Sequence, residues 1–257
     1  MNHLFVIPMA GESRRFREAG YEVPKYMLPL DSETVLTWSL RSFSYYFDSS
    51  SFLIIYRDSP GVAEFVRREC ERLRMRDVRF AALDRPTSGQ AETVMRGLDQ
   101  ISVPCSRRIT IFNIDTARPN YRLPDNKDFD ISDSRHGGFL EVFEGAGNNW
   151  SFVRPEPGKP GITAETSEKR PLSNLCCTGI YGFASAGLFR FAYDNPPAAL
   201  GEAERKERYV APLYNTLIRN GHVIRYTTVR RDQVIFCGVP VEYEALIKAN
   251  GALPSGI

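Results

Sequence analysis

The residues of this chain that are best suited to chemistry lie within its first thirty positions. An apolar run at residues 4–8 leads into a segment with Gly11, Arg14 and Arg15, and Lys25 lies ten residues beyond Arg15. The run predicts a buried strand, and the segment predicts a loop at its carboxyl end, where open α/β sheets bind ligands. Backbone N–H groups and basic side chains on one loop can hold several phosphate oxygens. The pattern favours a triphosphate site, with a solvated basic loop as the alternative.

Three further segments carry side chains that could do chemistry. Asp115 follows the apolar run 108–112, so its carboxylate could hold Mg²⁺ against a triphosphate, or it could simply cap a turn. Glu168 and Lys169 precede a predicted strand and could contact the hydroxyl and phosphate groups of a substrate, or they could form a solvated loop. The small residues at 87–89 open a predicted helix, where backbone could approach a flat base closely, or they could merely start that helix.

Strand and helix patterns alternate through the first half of the chain. Apolar residues at helical spacing occur at 35–47, 62–73 and 91–98, and compact apolar runs predict strands at 52–56, 78–82 and 108–112. This βαβα rhythm predicts a Rossmann-like α/β fold, with a mostly parallel central sheet and helices on both faces.

The second half of the chain is less regular. Residues 116–136 predict a loop, strands are predicted at 138–143, 150–154, 178–184, 222–226 and 234–237, and helices at 209–220 and 241–250. Because the chain has no repeat and no flexible linker, we expect one domain that spans residues 1–257.

Composition restricts the class of protein. The 257 residues carry a net charge of +2 and are 42% hydrophobic, so neither a nucleic-acid partner nor a membrane partner is expected. The five cysteines show no metal-ligand spacing, which favours free thiols in a reducing cytoplasm. No signal peptide and no apolar run of membrane-spanning length is visible, so we expect a soluble cytoplasmic protein.

Taken in order, the motifs resemble a known family. They are Met-Ala-Gly at 9–11 through Pro-Lys at 24–25, Thr-Ser-Gly at 87–89, Asn-Ile-Asp at 113–115, Trp-Ser-Phe-Val at 150–153, the segment 168–174, Thr-Gly-Ile-Tyr at 178–181 and Gly-Val-Pro at 238–240. The chain is similar to sugar-phosphate nucleotidyltransferases, the nucleoside-diphosphate-sugar pyrophosphorylase family. It looks most like the branch found in capsule and surface-polysaccharide biosynthesis.

The resemblance implies a fold, a reaction and a set of site residues. The fold would be the GT-A-like nucleotidyltransferase fold, in which residues 1–115 bind the nucleotide and an irregular lobe within 116–257 binds the acceptor. The enzyme would transfer NMP from an NTP to a phosphorylated small-molecule acceptor with Mg²⁺, and it could form a homo-oligomer. The implied catalytic residues are Arg15, Lys25 and Asp115, the last also as metal ligand. The implied nucleotide-binding residues are Met9, Ala10, Gly11, Glu12, Ser13, Arg14, Lys25, Thr87, Ser88, Gly89 and Asn113. The implied acceptor-binding residues are Glu168, Lys169, Asn174 and Gly179.

The chain departs from the family pattern at two places. Ser13 and Arg14 stand where relatives carry a second glycine and then Ser or Thr. Phe236 stands two residues before Gly-Val-Pro, where many relatives place a metal-binding Asp, and Asp232 is the nearby candidate to replace it.

Three hypotheses about function follow from these residues. The first is transfer to a sugar 1-phosphate, which gives an NDP-sugar and pyrophosphate. The second is a CTP-dependent reaction on a non-sugar phosphate such as phosphocholine or a phospho-amino acid. The third is a catalytically silent nucleotide-binding protein, suggested by the altered loop and the missing Asp. A dinucleotide-binding oxidoreductase is disfavoured because the three-glycine spacing is absent.

Overall fold

A mixed nine-stranded sheet forms the centre of the protein. The computed structural model describes residues 3–125, 133–197 and 207–249. Their strands are β1 (His3–Met9), β2 (Pro29–Leu30), β3 (Glu33–Thr34), β4 (Ser51–Arg57), β5 (Asp77–Leu83), β6 (Arg108–Phe112), β7 (Thr116–Ala117), β8 (His136–Glu144), β9 (Ser151–Glu156), β10 (Lys159–Glu168), β11 (Leu175–Phe183), β12 (Val223–Val229) and β13 (Ile235–Phe236). Their α-helices are α1 (Arg14–Glu18), α2 (Val35–Leu40), α3 (Val62–Arg72), α4 (Gln90–Gln100), α5 (Ala186–Asp194), α6 (Tyr214–Arg219) and α7 (Pro240–Lys248).

The sheet has a parallel part and a mixed part, in which β12 runs parallel to β8 and the other pairs are antiparallel. Its order is β5-β4-β1-β6-β11-β8-β12-β10-β9. Strands β5, β4, β1 and β6 run parallel, whereas β11 runs antiparallel to both of its neighbours. The short strands pair separately, β2 with β3 and β7 with β13. The parallel strands are the long apolar runs of the sequence, because strands buried on both faces need apolar residues at every position.

Helices cover both faces of the sheet. On one face, Val6 of β1 belongs to the same core cluster as Val94 of α4 and Phe189 of α5. On the other face, the next residue, Ile7, belongs to a second cluster with Leu36 of α2 and Phe65 of α3. The alternation of side chains along a strand thus divides β1 between two cores. The predicted α/β class, with helices on both faces of a central sheet, is confirmed.

Several elements differ from the sequence prediction. Strand β10 and helix α5 were not predicted. Strand β10 is rich in polar residues, and α5 begins two residues after the end of the predicted strand 178–184. The predicted helix 209–220 starts as a 3₁₀ turn at Ala211–Leu213, where Pro212 interrupts regular helix pairing, and α6 follows. The predicted strands at 138–143 and 150–154 do not pair with each other, since β8 pairs with β11 and β12. Residue 250 and part of the predicted loop 116–136 lie outside the described residues. No helix in the described part of the chain is long and apolar enough to cross a membrane.

Candidate active site

A cavity of about 940 Å³ opens where β1 and β6 end. The loop after β1 and the residues after β6 form adjacent parts of its wall, as expected at the carboxyl edge of parallel strands. Most of the predicted site residues line this cavity, namely Met9, Ala10, Gly11, Glu12, Ser13, Arg15, Lys25, Thr87, Ser88, Gly89, Asn113, Asp115, Glu168 and Gly179. The structure therefore brings the separated motifs together, and the roles assigned to them stay predictions.

Four predicted residues do not line the cavity. The Arg14 side chain is 81% exposed and pairs with Glu18 on the outside of α1. Asn174 is exposed before β11. Asp232 lies in a 3₁₀ turn and pairs with Arg230 in solvent, so the structure does not bring it to Asp115 as a substitute metal ligand. Lys169 does not line the cavity either, because its ammonium turns to the Tyr209 hydroxyl and Glu207.

Lys25 and Asp115 form an ion pair on the cavity wall. The Lys25 Nζ lies 2.5 Å from Asp115 Oδ2, and the two side chains are 21% and 26% exposed. Burial alone would raise the pKa of the Asp115 carboxyl. The charge and hydrogen bond of Lys25, together with the charge of Arg15, outweigh burial and hold that pKa below its usual value. Asp115 is therefore ionised at neutral pH, beside two cations that could neutralise phosphate oxygens.

The departure at Ser13 is accommodated by the backbone. Ser13 has φ 50 and ψ 36, the left-handed conformation that favours glycine, which explains why a glycine would suit this position. The Ser13 hydroxyl oxygen accepts a hydrogen bond from the backbone N–H of Lys25 at 3.2 Å. The side chain that relatives lack thus fastens the loop after β1 to the segment that carries Lys25.

Two glycines, Gly89 and Gly179, shape another part of the cavity wall. Gly89 has φ 151, and a Cβ there would stand 2.5 Å from the carbonyl oxygen of Arg208. The backbone of Arg208 donates to Ser88 O and accepts from Ala91 N, so it holds the 87–91 loop in place. Gly179 has φ 98 and lies directly under Asn113, whose side-chain carbonyl accepts a hydrogen bond from Gln90. Backbone groups and the Asn113 amide therefore form this part of the cavity wall.

The predicted acceptor side contains a chain of hydroxyl groups. The Tyr181 hydroxyl donates to Ser151 Oγ at 3.2 Å, and the Ser151 hydroxyl donates to Glu168. Lys169 has φ 55 and turns away, so that its ammonium donates to the Tyr209 hydroxyl and pairs with Glu207. All of these residues except Lys169 line the cavity.

Sequence reasoning missed several residues of the wall. They are Gln90, Ser151, Tyr181, Glu207, Tyr209 and Glu242. Gln90, Ser151 and Tyr181 lie within or beside motifs that the sequence had singled out, so a finer analysis of those motifs could have found them. Nothing in the sequence signals Glu207 or Tyr209, which reach the cavity only because residue 208 pairs with the 87–91 loop.

Asp115 is the carboxylate of the cavity wall that could hold the magnesium ion implied by the resemblance. No group of three or more His, Cys, Asp or Glu residues in the described ranges could hold a metal ion by itself. Asp115 faces Gly238, where a Cβ would stand only 3.3 Å from Asp115 Oδ2, so the missing side chain leaves room beside the carboxylate. Mg²⁺ keeps several waters and often takes one or two carboxylates plus substrate phosphates, so this donor set fits the ion.

The fold and this site define a nucleotidyltransferase, and comparison with solved structures supports that class. The nucleoside-diphosphate-sugar pyrophosphorylase from Vibrio cholerae RC9 matches with a TM-score of 0.86 and 43% identity, covering 95% of this chain and 99% of that one. The chain therefore belongs to the nucleoside-diphosphate-sugar pyrophosphorylase family.

More distant structures share the fold. The inositol-1-phosphate CTP transferase from T. maritima matches with a TM-score of 0.69 at 12% identity, covering 98% of each chain. The UTP-bound UGPase from Acinetobacter baumannii matches with a TM-score of 0.67 at 15% identity, covering 99% of this chain and 95% of that one. No protein-family model and no curated protein sequence matches the chain.

Proposed function

We propose that this enzyme transfers NMP from an NTP to a sugar 1-phosphate, giving an NDP-sugar and pyrophosphate. The observation that carries the proposal is the convergence of Arg15, Lys25 and Asp115 on one cavity at the ends of β1 and β6. The 43% identity to a nucleoside-diphosphate-sugar pyrophosphorylase supports the same reaction. Residues 1–115 would bind the nucleotide, and residues of the second half would bind the acceptor.

The proposed reaction needs no general base. A phosphate oxygen of the acceptor forms the new bond to the α-phosphorus of the NTP. The bond between that phosphorus and the oxygen bridging to the β-phosphorus breaks, and its electron pair leaves on pyrophosphate. A phosphate dianion is already a nucleophile, so the chain has to position the reactants and neutralise charge. Arg15 and Lys25 are placed to do this beside the loop after β1.

Mg²⁺ is the proposed cofactor. When bound, it would neutralise triphosphate oxygens and fix their geometry. Asp115 would hold it, since the low pKa of this carboxyl keeps it ionised. The Lys25 ammonium would then move from Asp115 to the substrate phosphates. The surface-polysaccharide pathway and the cytoplasmic location stay predictions from the sequence.

A thermal-shift screen tests the donor site first. ATP, GTP, CTP, UTP and dTTP are each added with and without Mg²⁺, and an NTP at 100 times its dissociation constant should stabilise the protein by about 2.7 kcal/mol. Pyrophosphate release is then measured with the selected NTP and a set of hexose 1-phosphates. We expect one nucleotide to stand out and to support release. NTP binding without pyrophosphate release in the presence of any acceptor, phosphocholine included, would instead support the catalytically silent alternative.

A further inference from the structure

An aromatic wall closes one side of the cavity. It consists of Trp150 and Phe236, which line the cavity, and of Phe143, which is buried behind them. The rings of Trp150 and Phe236 have their centroids 4.7 Å apart, and Phe143 lies 5.3 Å from Trp150 and 5.5 Å from Phe236. Because each ring is supported by the other two, the wall is a fixed surface and not a pair of loose side chains.

The wall lies next to the proposed metal ligand. Phe236 of β13 is paired with Thr116 of β7, the residue that follows Asp115. The backbone N–H of Cys237 donates to the carbonyl oxygen of Asp115 at 2.7 Å. An acceptor that contacts the wall must therefore have its apolar part close to its reacting phosphate. A pyranose ring that carries the phosphate directly meets this condition.

The positive charge beside the aromatic wall also restricts which acceptors can bind there. The Arg231 guanidinium lies over Phe236, 4.7 Å from the ring centroid, and 5.4 Å from the centroid of Phe143. Aromatic faces attract cations, but here the chain already supplies one. Arg231 does not itself line the cavity, so it acts through the ring that it covers: a second cation at that ring, such as the quaternary ammonium of a choline-type acceptor, would be repelled by its positive charge.

The polar residues near the wall suit hydroxyl groups. Tyr181 donates to Ser151, and Ser151 donates to Glu168, so the hydrogen bonds run in one direction toward the carboxylate. A carboxylate accepts hydrogen bonds and can take further ones from donors such as sugar hydroxyls. An aromatic surface for the C–H face of a ring and a carboxylate for its hydroxyls together match a neutral pyranose.

We infer that Phe236 and Trp150 form an acceptor subsite for the ring of a neutral hexose 1-phosphate, and that this subsite discriminates against cationic non-sugar phosphates. Phe236, whose ring faces the cavity beside Trp150, thus contributes to acceptor specificity in this chain. The inference rests on the proposed function, which it makes more specific.

Tryptophan fluorescence provides a binding test that does not depend on turnover. The chain has two tryptophans, and Trp38 is buried at 3% exposure in a separate cluster, so a Trp38→Phe variant would report from Trp150 alone. This variant, saturated with the α,β-methylene analogue of its selected NTP, is titrated with glucose, galactose, mannose and N-acetylglucosamine 1-phosphates and with phosphocholine. We expect a saturable change with at least one hexose 1-phosphate, at lower concentration than with phosphocholine. No change with any hexose 1-phosphate, or tighter binding of phosphocholine, would overturn the inference.

Kinetics of a Phe236→Leu variant complete the test. Leucine keeps an apolar side chain but removes the ring, so we expect the KM for the sugar 1-phosphate to rise by about tenfold while the KM for the NTP stays within about twofold. Phe191→Leu is the matched control, because Phe191 lies exposed on α5 and does not line the cavity. Pyrophosphate release with an unchanged acceptor KM in Phe236→Leu would refute the subsite and leave the proposed function standing. Absence of release in the wild-type protein would refute the proposed function, and the fluorescence titration would still decide whether the wall binds a hexose 1-phosphate.

Discussion

Replacing Lys25 by alanine should separate catalysis from folding. The variant loses the cation that stands 2.5 Å from Asp115 and faces the proposed phosphate site. Loss of one group that stabilises transition-state charge typically lowers kcat by about 10²–10³-fold. We therefore expect a loss of this size in pyrophosphate release, measured with saturating NTP and acceptor.

The expected cost in stability can be bounded from the same geometry. The Lys25 and Asp115 side chains are 21% and 26% exposed, so their pair lies between an exposed pair and a fully buried one. Breaking it should cost about 1–3 kcal/mol. For a chain of this size each kcal/mol lowers Tm by about 2–4 °C. Lys25→Ala should thus melt several degrees below the wild type and still be folded at 25 °C.

The assay requires a control that removes a similar charge elsewhere. Lys159 lies 66% exposed on β10 and pairs with Glu156, so Lys159→Ala should leave both turnover and Tm close to those of the wild type. If folded Lys25→Ala releases pyrophosphate within about threefold of the wild-type rate, the role we assign to Lys25 is wrong.

Three more perturbations test other parts of the structure. Gly89→Ala places a Cβ 2.5 Å from the backbone of Arg208, so the KM for the NTP should rise more than tenfold. An unchanged KM would show that the 87–91 loop does not contact the nucleotide. Burial, with Arg108 and Arg107 nearby, lowers the pKa of His3 to about 3. The unfolded chain therefore binds a proton at His3 as pH falls below about 6.5, while the native protein does not. Between pH 7 and 5 the free energy of unfolding, measured by denaturant titration, should fall by about 2 kcal/mol more in the wild type than in His3→Gln. Cys105 is exposed whereas the other four free thiols are buried, with pKa values raised by burial, so brief alkylation followed by mass spectrometry should find one modified cysteine and not five.

The sequence predicted best the strands that are apolar at nearly every position and the helices whose apolar residues recur at helical spacing. Strands β1, β4 and β6 and helices α3 and α4 appear where the patterns place them. Strand β10 escaped detection because its Thr and Glu residues resemble a loop, and its strand conformation depends on pairing with β9 and β12.

The candidate site shows the same limit. The placement of Lys25 and Asp115 at one cavity could be predicted because each lies in a recognisable motif, although 90 positions separate them, and their catalytic roles stay predictions. Asp232 could not be placed correctly, since its proximity to residue 236 in sequence says nothing about the direction of its side chain, which pairs with Arg230. Tyr209 and Glu207 reach the cavity through backbone pairing with a distant loop, which leaves no trace in local composition.

The order of strands in the sheet has a consequence for synthesis of the chain on the ribosome. In the finished sheet β6 lies between β1, which is synthesised before it, and β11, which begins only at Leu175. The intervening residues take several seconds to add at about 5–20 residues per second, and throughout that time β6 presents an unpaired, apolar edge.

The active site is completed even later. Strand β7, next to Asp115, finds its partner only when β13 is made, so nearly the whole chain must emerge before the wall of Phe236 exists. Early collapse of the two cores around β1, or a chaperone, has to protect the open edge of β6 until β11 arrives.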